Sequence, residues 1–317
     1  MNIVTLTLNP ALDKSTVTER LIPEQKLRCE NMQVDPGGGG INVSKGIRKL
    51  DGESVAVFPS GGANGRLMQD LLTEAGIQIS VQSISNETRE NFSVTESATN
   101  IQYRFTMSGA PLREEDADAC LKLIEQQNPA FLVASGSLPA GLPTNYFEKV
   151  AAFSKKIGAK FILDTSGAAL QAAADEGVFL LKPNLAELSA LVGVETLALN
   201  QVDDAALQII KEGKCEVVVV SLGPQGALLV TKDMLEHVPA PPIVKKSTVG
   251  AGDSMVAGMV WALQQQKSYR EMVQIGVACG SAATMNTGTH LFEKKDMETL
   301  LDWILQYGER YRITNFD

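Results

Sequence analysis

Short apolar segments alternate with segments of helical periodicity along most of the chain. Residues 3–8 are β-prone, and apolar runs short enough to be buried strands lie at 55–58, 131–134, 160–163, 178–181 and 216–220. Between such runs, apolar residues recur at helical spacing, as they do at 41–50 and 66–75. Continuous apolar strands that alternate with helices indicate a mostly parallel sheet covered by helices on both faces. The pattern therefore predicts an α/β fold.

One region breaks this alternation. Residues 91–97 and 101–107 are β-prone and flank an Ala-Thr-Asn turn, which predicts a hairpin in the middle of the chain. Residues 12–34 also have an extended pattern. We expect a single domain spanning 1–317, with a small β lid formed by roughly 12–35 and 89–108. The alternative is that these segments are edge strands of the main sheet.

Polar or Gly-rich loops follow several predicted strands, at 135–137, 164–167, 182–184 and 221–223. In open α/β sheets, ligands bind beyond the carboxyl ends of the strands. We therefore expect the functional site to lie where these loops meet.

Composition excludes several classes of protein. Hydrophobic residues make up 44% and charged residues 21%, which is typical of a globular chain. The net charge is −9, so the protein as a whole lacks the basic surface that nucleic-acid binding requires. An anionic membrane would repel a protein with this charge. No segment has the length of a transmembrane helix, and the N-terminus lacks the pattern of a signal peptide. We expect neither a nucleic-acid nor a membrane partner.

Cysteine and histidine usage narrows the chemistry further. The cysteines are far apart and form no C-x-x-C pair, which argues against zinc and disulfides and favours the cytoplasm; they are Cys29, Cys120, Cys215 and Cys279. The chain has only two histidines, His237 in a predicted strand and His290 in a predicted loop. Acid–base chemistry is therefore expected from a carboxylate.

Residues 247–254 read Ser-Thr-Val-Gly-Ala-Gly-Asp-Ser and precede a small, apolar segment typical of a buried helix. The glycines allow a sharp turn and close approach of a ligand, and the first N–H groups of the helix would face an anion. Asp253 would then lie beside a transferring phosphoryl group, where it could accept the proton of an acceptor hydroxyl. The alternative is that Asp253 only caps the helix.

A run of four glycines, 37–40, precedes Asn42. Such a run disfavours regular structure and suggests a backbone that packs directly on a ligand, with Asn42 available to hydrogen-bond a sugar hydroxyl. A flexible loop is the alternative. The segment is neither a Walker A loop nor a G-x-G-x-x-G fingerprint.

Asn184 and Glu187 lie three residues apart after a predicted strand. Their oxygens would share one side of a helical first turn, where they could orient Mg²⁺ or its waters. An ordinary capping box is the alternative.

Four cations lie around the predicted lid: Lys26, Arg28, Arg89 and Arg104. In an acidic protein, such a group suggests recognition of a phosphate already present on the substrate, whereas each cation alone is more typical of solvated surface. The turn at 221–226 is expected to lie near a nucleotide.

Together these segments resemble the ribokinase-like (PfkB) carbohydrate kinase family over the whole chain. The resemblance rests on the glycines before Asn42, on Lys182-Pro-Asn-x-x-Glu187 and on Thr248-Val-Gly-Ala-Gly-Asp253. It implies a three-layer ribokinase-like fold, ATP as phosphoryl donor, and Mg²⁺ placed by Asn184 and Glu187. It also implies that Asp253 is the catalytic base, with an anion hole formed by the backbone amides of Gly250, Ala251 and Gly252.

Residues 40–43, Gly-Ile-Asn-Val, are similar to the branch of this family that acts on sugar phosphates. The resemblance implies transfer to the 1-hydroxyl of fructose 6-phosphate, a step of glycolysis. The matching sugar-phosphate residues are Asp13, Lys26, Arg28, Gly38, Gly39, Asn42, Arg89 and Ser137, to which the lid cation Arg104 is added. The matching ATP residues are Lys182, Asn184, Ser221, Gly223, Gly226 and Thr248.

The same resemblance implies a monovalent cation, expected to be K⁺, at Ser247, Val249, Ala283, Asn286 and Gly288. His290 stands where the resemblance predicts an arginine, which is a departure at the end of that site. Homodimers that pair through the lid are also implied.

There are three kinds of alternative to a fructose 6-phosphate kinase: another sugar-phosphate substrate, a non-catalytic sensor and a dehydrogenase. Tagatose 6-phosphate and fructose 1-phosphate differ from fructose 6-phosphate by one stereocentre or by phosphate position, so they are open as substrates. A non-catalytic sugar-phosphate sensor of the same fold is disfavoured because Asp253 and the glycines before it are intact. A nicotinamide dehydrogenase is disfavoured because the N-terminal G-x-G-x-x-G unit is missing.

Overall fold

The computed structural model of the chain describes residues 2–286 and 290–312. The strands are β1 (Ile3–Leu6), β2 (Ala11–Thr18), β3 (Glu30–Gly37), β4 (Val55–Ser60), β5 (Gln78–Ser83), β6 (Arg89–Glu96), β7 (Ile101–Thr106), β8 (Phe131–Ser135), β9 (Lys160–Asp164), β10 (Val178–Leu181), β11 (Cys215–Ser221), β12 (Ala227–Val230) and β13 (Leu235–Val238). The α-helices are α1 (Gly39–Lys49), α2 (Gly62–Glu74), α3 (Glu114–Gln127), α4 (Tyr146–Lys156), α5 (Gly167–Glu176), α6 (Leu185–Leu191), α7 (Val202–Lys211), α8 (Ala251–Gln264), α9 (Tyr269–Thr284) and α10 (Lys294–Tyr307).

The described residues form a nine-stranded main sheet with the order β13-β12-β11-β10-β9-β8-β1-β4-β5. From β11 to β5 the neighbouring strands run parallel, whereas β12 and β13 add an antiparallel edge. The predicted mostly parallel α/β fold is confirmed.

The main sheet is the middle of three layers. On β8, Leu132 and Ala134 pack in one core with α3 to α7, whereas Val133 packs in a second core with α1, α8, α9 and α10. Successive side chains of a strand point to opposite faces, so an all-apolar strand needs cover on both sides. Among the described helices, none has the length and apolar character needed to cross a membrane.

A separate four-stranded sheet has the order β3-β2-β6-β7. β2 and β6 pair in parallel, and β6 and β7 form the predicted hairpin. The alternative that these segments are edge strands of the main sheet is wrong, because they pair with each other and not with β5 or β13 in the described residues.

The carboxyl ends of several central strands meet the start of α8. Ser135 ends β8, Asp164 ends β9, and Lys182 directly follows β10. A Cβ atom added to Gly252, in the first turn of α8, would lie 3.5 Å from Lys182 Nζ and 3.8 Å from Asp164 Oδ2. The fold thus places the Gly-Ala-Gly-Asp segment at the edge of the sheet where ligands bind in this class of fold.

Candidate active site

Gly250 allows α8 to begin sharply. It is the N-cap residue with φ of 73°, in the left-handed region, and an added Cβ would lie 2.8 Å from Leu291 Cδ2. Within the helix, the N–H of Ser254 donates to the carbonyl of Gly250 at 2.8 Å. The N–H groups of residues 252 and 253 come before the first intrahelical bond, as is usual in a helical first turn, while the N–H of Ala251 donates to the carbonyl of Thr248 at 3.4 Å. This geometry suits an anion-binding site.

Asp253 lies inside the first turn of α8 and is held by two side chains. Asn42 Nδ2 donates to Asp253 Oδ2 at 2.9 Å, and Ser135 Oγ donates to Asp253 Oδ1 at 3.0 Å. The alternative that Asp253 caps the helix is wrong, because the N-cap is Gly250 and α8 has no side-chain cap. Its carboxylate is instead fixed between α1 and β8.

Burial raises the pKa of the Asp253 carboxyl to about 6, and the nearby charge of Asp164 adds to the rise. The hydrogen bonds from Asn42 and Ser135, together with the charge of Lys182, oppose it. A carboxylate with this pKa is ionised at neutral pH and is a better proton acceptor than an ordinary aspartate.

Lys182 forms a buried ion pair beside Asp253. Its Nζ lies 3.1 Å from Asp164 Oδ1, and only 7% of its side chain is exposed. Burial is the largest single influence on the pKa of Lys182 and lowers it, but the charge and hydrogen bond of Asp164, together with the charges of Glu187 and Asp253, raise the pKa overall, so the ammonium keeps its charge. Residues 164–167 are expected at the functional site from the sequence, but without a role for Asp164 itself; its pairing with Lys182 is what the structure adds.

The run of glycines from 37 to 40 packs on protein atoms. Added Cβ atoms would lie 2.0 Å from Asp13 Oδ2 at Gly37, 2.3 Å from Ser135 Oγ at Gly39 and 2.6 Å from the carbonyl oxygen of Leu6 at Gly40. Gly38 has φ of 117° and is the N-cap residue of α1. The flexible-loop alternative is wrong, and the need for glycine is explained by close contact with the protein itself.

A second polar group lies where the small sheet meets the main sheet. Asn91 Nδ2 donates to Asp13 Oδ1 at 2.7 Å, and Arg89 Nη1 donates to Asn91 Oδ1 at 3.1 Å. Asn9 Nδ2 donates to Ser137 Oγ at 3.1 Å. Burial raises the pKa of Asp13, whereas Asn91 and two nearby cations lower it. Asp13, Arg89 and Ser137 therefore share one polar region, and Asn91 is a member that sequence reasoning missed.

The remaining predicted cations are less constrained. Lys26 and Arg28 are exposed in the connection between β2 and β3, and Arg104 is exposed on β7 opposite Ser93. The structure brings Arg89 next to Asp13 but leaves these three on the surface.

Asn184 and Glu187 form the capping box of α6. Asn184 Oδ1 accepts from the N–H of Glu187 at 2.9 Å, and Glu187 Oε2 accepts from the N–H of Asn184 at 2.9 Å. The capping box, which was the alternative to a magnesium site, is therefore present. Carboxylate and amide oxygens are donors that Mg²⁺ prefers, so the pair also fits a metal that takes its other ligands from phosphate and water. Within 2–286 and 290–312, His, Cys, Asp and Glu side chains form no group of three that could hold a metal ion.

The turn after β11 lies beside this capping box. The N–H of Ser221 donates to the carbonyl of Pro183 at 2.9 Å. Gly226 has φ of 93°, and an added Cβ would lie 2.0 Å from the carbonyl oxygen of Val238. His237 Nε2 lies 2.7 Å from the carbonyl oxygen of Gln225. The turn that contains Gly223 is thus anchored to β13.

The segment before α8 lies against the end of α9. The N–H groups of Lys246 and Ser247 donate to the carbonyl of Thr284 at 2.8 and 3.2 Å, and the N–H of Val249 donates to Ser247 Oγ at 3.1 Å. Asn286 Nδ2 donates to the carbonyl of Leu291 at 2.7 Å. Ser247 is therefore held against Thr284, next in the chain to Ala283, and His290 is exposed. Gly288 lies outside the described residues.

The family model for pfkB family carbohydrate kinases matches residues 8–296. The chain belongs to this family. The predicted family is confirmed, and the protein is a carbohydrate kinase with a ribokinase-like fold.

Known members are similar over nearly their full length. The ATP-dependent 6-phosphofructokinase isozyme 2 of Escherichia coli (strain K12) is 43% identical over 306 residues, which cover 96% of this chain and 99% of that protein. The protein of the same name from Mycobacterium tuberculosis (strain ATCC 25618 / H37Rv) is 42% identical over 95% of this chain and 89% of its own length. The crystal structure of phosphofructokinase-2 from Escherichia coli in complex with potassium matches with a TM-score of 0.92 and 42% identity, covering 96% of this chain and 99% of that one.

Proposed function

We propose that this protein transfers the γ-phosphoryl group of ATP to the 1-hydroxyl of fructose 6-phosphate. The observation that carries the proposal is the carboxylate of Asp253, fixed in the first turn of α8 with a pKa of about 6. The names of the relatives in Escherichia coli and Mycobacterium tuberculosis support the same reaction.

In the proposed reaction, the oxygen of the sugar 1-hydroxyl forms a bond to the γ-phosphorus, and Asp253 accepts the proton that this hydroxyl loses. The bond between that phosphorus and the β,γ-bridging oxygen breaks, and ADP leaves. The backbone amides of Gly250, Ala251 and Gly252, at the start of α8, would stabilise the negative charge on the transferring group. Lys182 lies near Gly252 and adds a positive charge.

The sugar would be held at the junction of the two sheets. Asp13, Asn42 and Ser137 offer polar side-chain groups to sugar hydroxyls, while Gly38 and Gly39 bring the backbone close. Arg89 is proposed to bind the 6-phosphate. Its two Nη atoms donate to three protein oxygens, which leaves one Nη2–H and the positive charge for the ligand. Lys26, Arg28 and Arg104 complete this group as the small sheet closes and excludes water.

ATP would lie along the carboxyl ends of β10 and β11. Lys182, Asn184, Ser221, Gly223, Gly226 and Thr248 are the proposed contacts. Asn184 and Glu187 would place Mg²⁺, which neutralises charge on the phosphates when it is bound.

A monovalent cation, proposed to be K⁺, would lie beside the start of α8. The proposal is supported by the hydrogen bond of Ser247 to the carbonyl of Thr284, which follows Ala283 in the chain. Ser247, Val249, Ala283 and Asn286 would supply the hard oxygen donors that such a cation takes. Gly288 belongs to this proposal by sequence.

The outer face of the small sheet supports a homodimer. Ile101, Tyr103 and Phe105 alternate along β7 and are 51%, 41% and 48% exposed. Phe105 pairs with Phe92 and Tyr103 with Val94, so these side chains share one apolar face. Asp13 and Asn91 point to the opposite face. A contiguous exposed apolar face is typical of an interaction surface, and a second copy of the same face is the proposed partner.

The cytoplasm is the proposed location. It is supported by the cysteines, which are free in the structure, with Cys120, Cys215 and Cys279 buried.

The test is ADP release with ATP and Mg²⁺ against fructose 6-phosphate, tagatose 6-phosphate, fructose 1-phosphate and fructose. The highest kcat/KM is expected with fructose 6-phosphate, and fructose is the matched control without a phosphate. A higher kcat/KM with another sugar phosphate would replace the acceptor and leave the phosphoryl transfer in place. Absence of turnover with all four, in a protein that binds a sugar phosphate, would favour a sensor.

A further inference from the structure

Asn91 connects two residues of the proposed sugar-phosphate site. It lies on β6 directly beside Asp13 on β2. Its Nδ2 donates to Asp13 Oδ1 at 2.7 Å, and its Oδ1 accepts from Arg89 Nη1 at 3.1 Å and from the N–H of Met107 at 3.3 Å. One side-chain amide thus holds the carboxylate and the guanidinium together.

The chemistry of the three groups requires an amide in this orientation. A carboxylate only accepts hydrogen bonds and a guanidinium only donates them. The Nδ2 of Asn91 must therefore face Asp13, and its Oδ1 must face Arg89. An aspartate at position 91 would place a second acceptor against Asp13, and an aliphatic residue would leave both partners without this contact.

Arg89 has two further hydrogen bonds, one of them from the same Nη1 that donates to Asn91. Its Nη1 donates to the carbonyl of Met107 at 3.0 Å, and its Nη2 donates to the carbonyl of Asn9 at 3.0 Å. Asn9 in turn donates to Ser137 at 3.1 Å. The Nε of Arg89 is buried without a hydrogen-bond partner in the described part of the chain. The guanidinium is therefore positioned by its two Nη atoms, and Asn91 supplies one of the two acceptors of Nη1.

We propose that Asn91 is a positioning residue that fixes Asp13 and Arg89 in one geometry and so couples recognition of the sugar hydroxyls to recognition of the phosphate. This inference rests on the proposed function. Because the contacts join β2 and β6 of the small sheet to the loops after β1 and β8, they also determine how the sugar phosphate meets Asp253.

The bond to Asn91 also affects the charge of Asp13. Burial raises the pKa of the Asp13 carboxyl, and the hydrogen bond from Asn91 is the largest influence that lowers it. Loss of the amide would therefore weaken the ionised, accepting form of the carboxylate.

The first experiment compares the wild type with Asn91→Leu and with Thr95→Val as a matched control on the same strand. A hydrogen bond to a charged group contributes about 1.5–3 kcal/mol, so Asn91→Leu is expected to raise the KM for fructose 6-phosphate by about 10- to 150-fold. The KM for ATP should stay within about twofold, because the nucleotide lies along other strands. Thr95→Val should leave both values near those of the wild type.

Asn91→Asp separates positioning from packing. The aspartate has nearly the same shape, so a role in packing alone predicts wild-type kinetics. The proposal predicts a rise of at least about tenfold in the KM for fructose 6-phosphate, because two carboxylates would face each other. Wild-type kinetics for Asn91→Asp would overturn the proposal.

A double-mutant cycle with Arg89→Ala tests the coupling. If Asn91 acts through Arg89 and Asp13, Asn91→Leu should raise the KM for the sugar phosphate clearly less when Arg89 is already alanine than when Arg89 is present. A full, additive effect would overturn the coupling.

Calorimetric binding of fructose 6-phosphate to the wild type distinguishes failure of the role of Asn91 from failure of the proposed function. If the wild type turns over fructose 6-phosphate and Asn91→Leu has an unchanged KM for it, this inference fails and the proposed function stands. A wild type that neither binds nor phosphorylates the sugar phosphate would remove the proposed function, and this inference with it.

Discussion

Asp253 combines two features with opposite effects on its charge. It lies in the first turn of a helix, where the backbone favours negative charge, and yet burial and Asp164 raise its pKa to about 6. Asn42 and Ser135 hold both oxygens of the carboxylate. The environment therefore keeps a fixed base at neutral pH without making it a poor proton acceptor.

This pKa predicts the pH dependence of turnover. The base acts when ionised, so kcat/KM for fructose 6-phosphate, which reports the ionisation of the unliganded enzyme, should be constant above pH 7 and fall as the pH decreases through about 6. The fall should approach about tenfold per pH unit. Sugar phosphates themselves ionise near pH 6, so calorimetric binding over the same range is the control. A kcat/KM that stays constant down to pH 5 would contradict the assignment of Asp253.

Arg89 should affect the sugar and spare the nucleotide. Arg89→Ala removes the charge next to Asp13 and is expected to raise the KM for fructose 6-phosphate by about tenfold or more, with little change for ATP. Steady-state kinetics with each substrate varied in turn measures both values. Equal effects on the two KM values would contradict a role in binding the 6-phosphate.

At the scale of elements, the start of α8 is a junction between protein packing and the anion site. A methyl group at Gly252 would make ordinary contacts with Lys182 and Asp164. Alanine is also the better helix former. Gly252→Ala should therefore fold with a Tm at or above that of the wild type.

The same methyl group would occupy space between the helix and Lys182 where the phosphoryl group is proposed to lie. We expect kcat to decrease by at least about tenfold in Gly252→Ala, because displaced anion-hole donors cost that much or more. Thermal unfolding and steady-state kinetics check the two halves. Gly39→Ala is the contrasting variant. Its Cβ would lie 2.3 Å from Ser135 Oγ, and this clash should lower the Tm. Wild-type kcat in Gly252→Ala would place the anion elsewhere.

The sequence predicts those elements whose contacts are local. The β6–β7 hairpin and the capping box of Asn184 and Glu187 depend on residues a few positions apart. The hydrogen bond of Asn91 to Asp13 spans 78 residues, and it forms only because β2 pairs with β6 in this register. The ion pair of Asp164 with Lys182 likewise depends on the parallel pairing of β9 with β10. Such partners are not visible from spacing along the chain. The roles given to Ser247, Ala283 and Thr248 stay predictions.

At the scale of the whole molecule, the small sheet has two different faces. One carries Asp13 and Asn91 toward the proposed site, and the other exposes Tyr103 and Phe105. The polar face would bind substrate only when the sheet is held in place. A second copy on the apolar face would hold it there and would link assembly to activity.

The double variant Tyr103→Asp/Phe105→Asp tests this link. Buried charges without partners are costly, so the variant should be a monomer where the wild type is a dimer in analytical ultracentrifugation. The sugar KM should rise with it. Leu305→Asp is the control, because Leu305 is 59% exposed on α10, outside the small sheet. A double variant that assembles like the wild type would contradict pairing through this face.

Comparison of Asp253→Asn with the wild type tests the central claim most directly, by turnover of fructose 6-phosphate and by calorimetric binding of ATP. The amide keeps the size of the side chain but cannot accept the proton of the 1-hydroxyl. We predict that kcat falls by about 10²- to 10⁴-fold while the affinity for ATP stays within about twofold. A kcat close to that of the wild type would show that Asp253 is not the base.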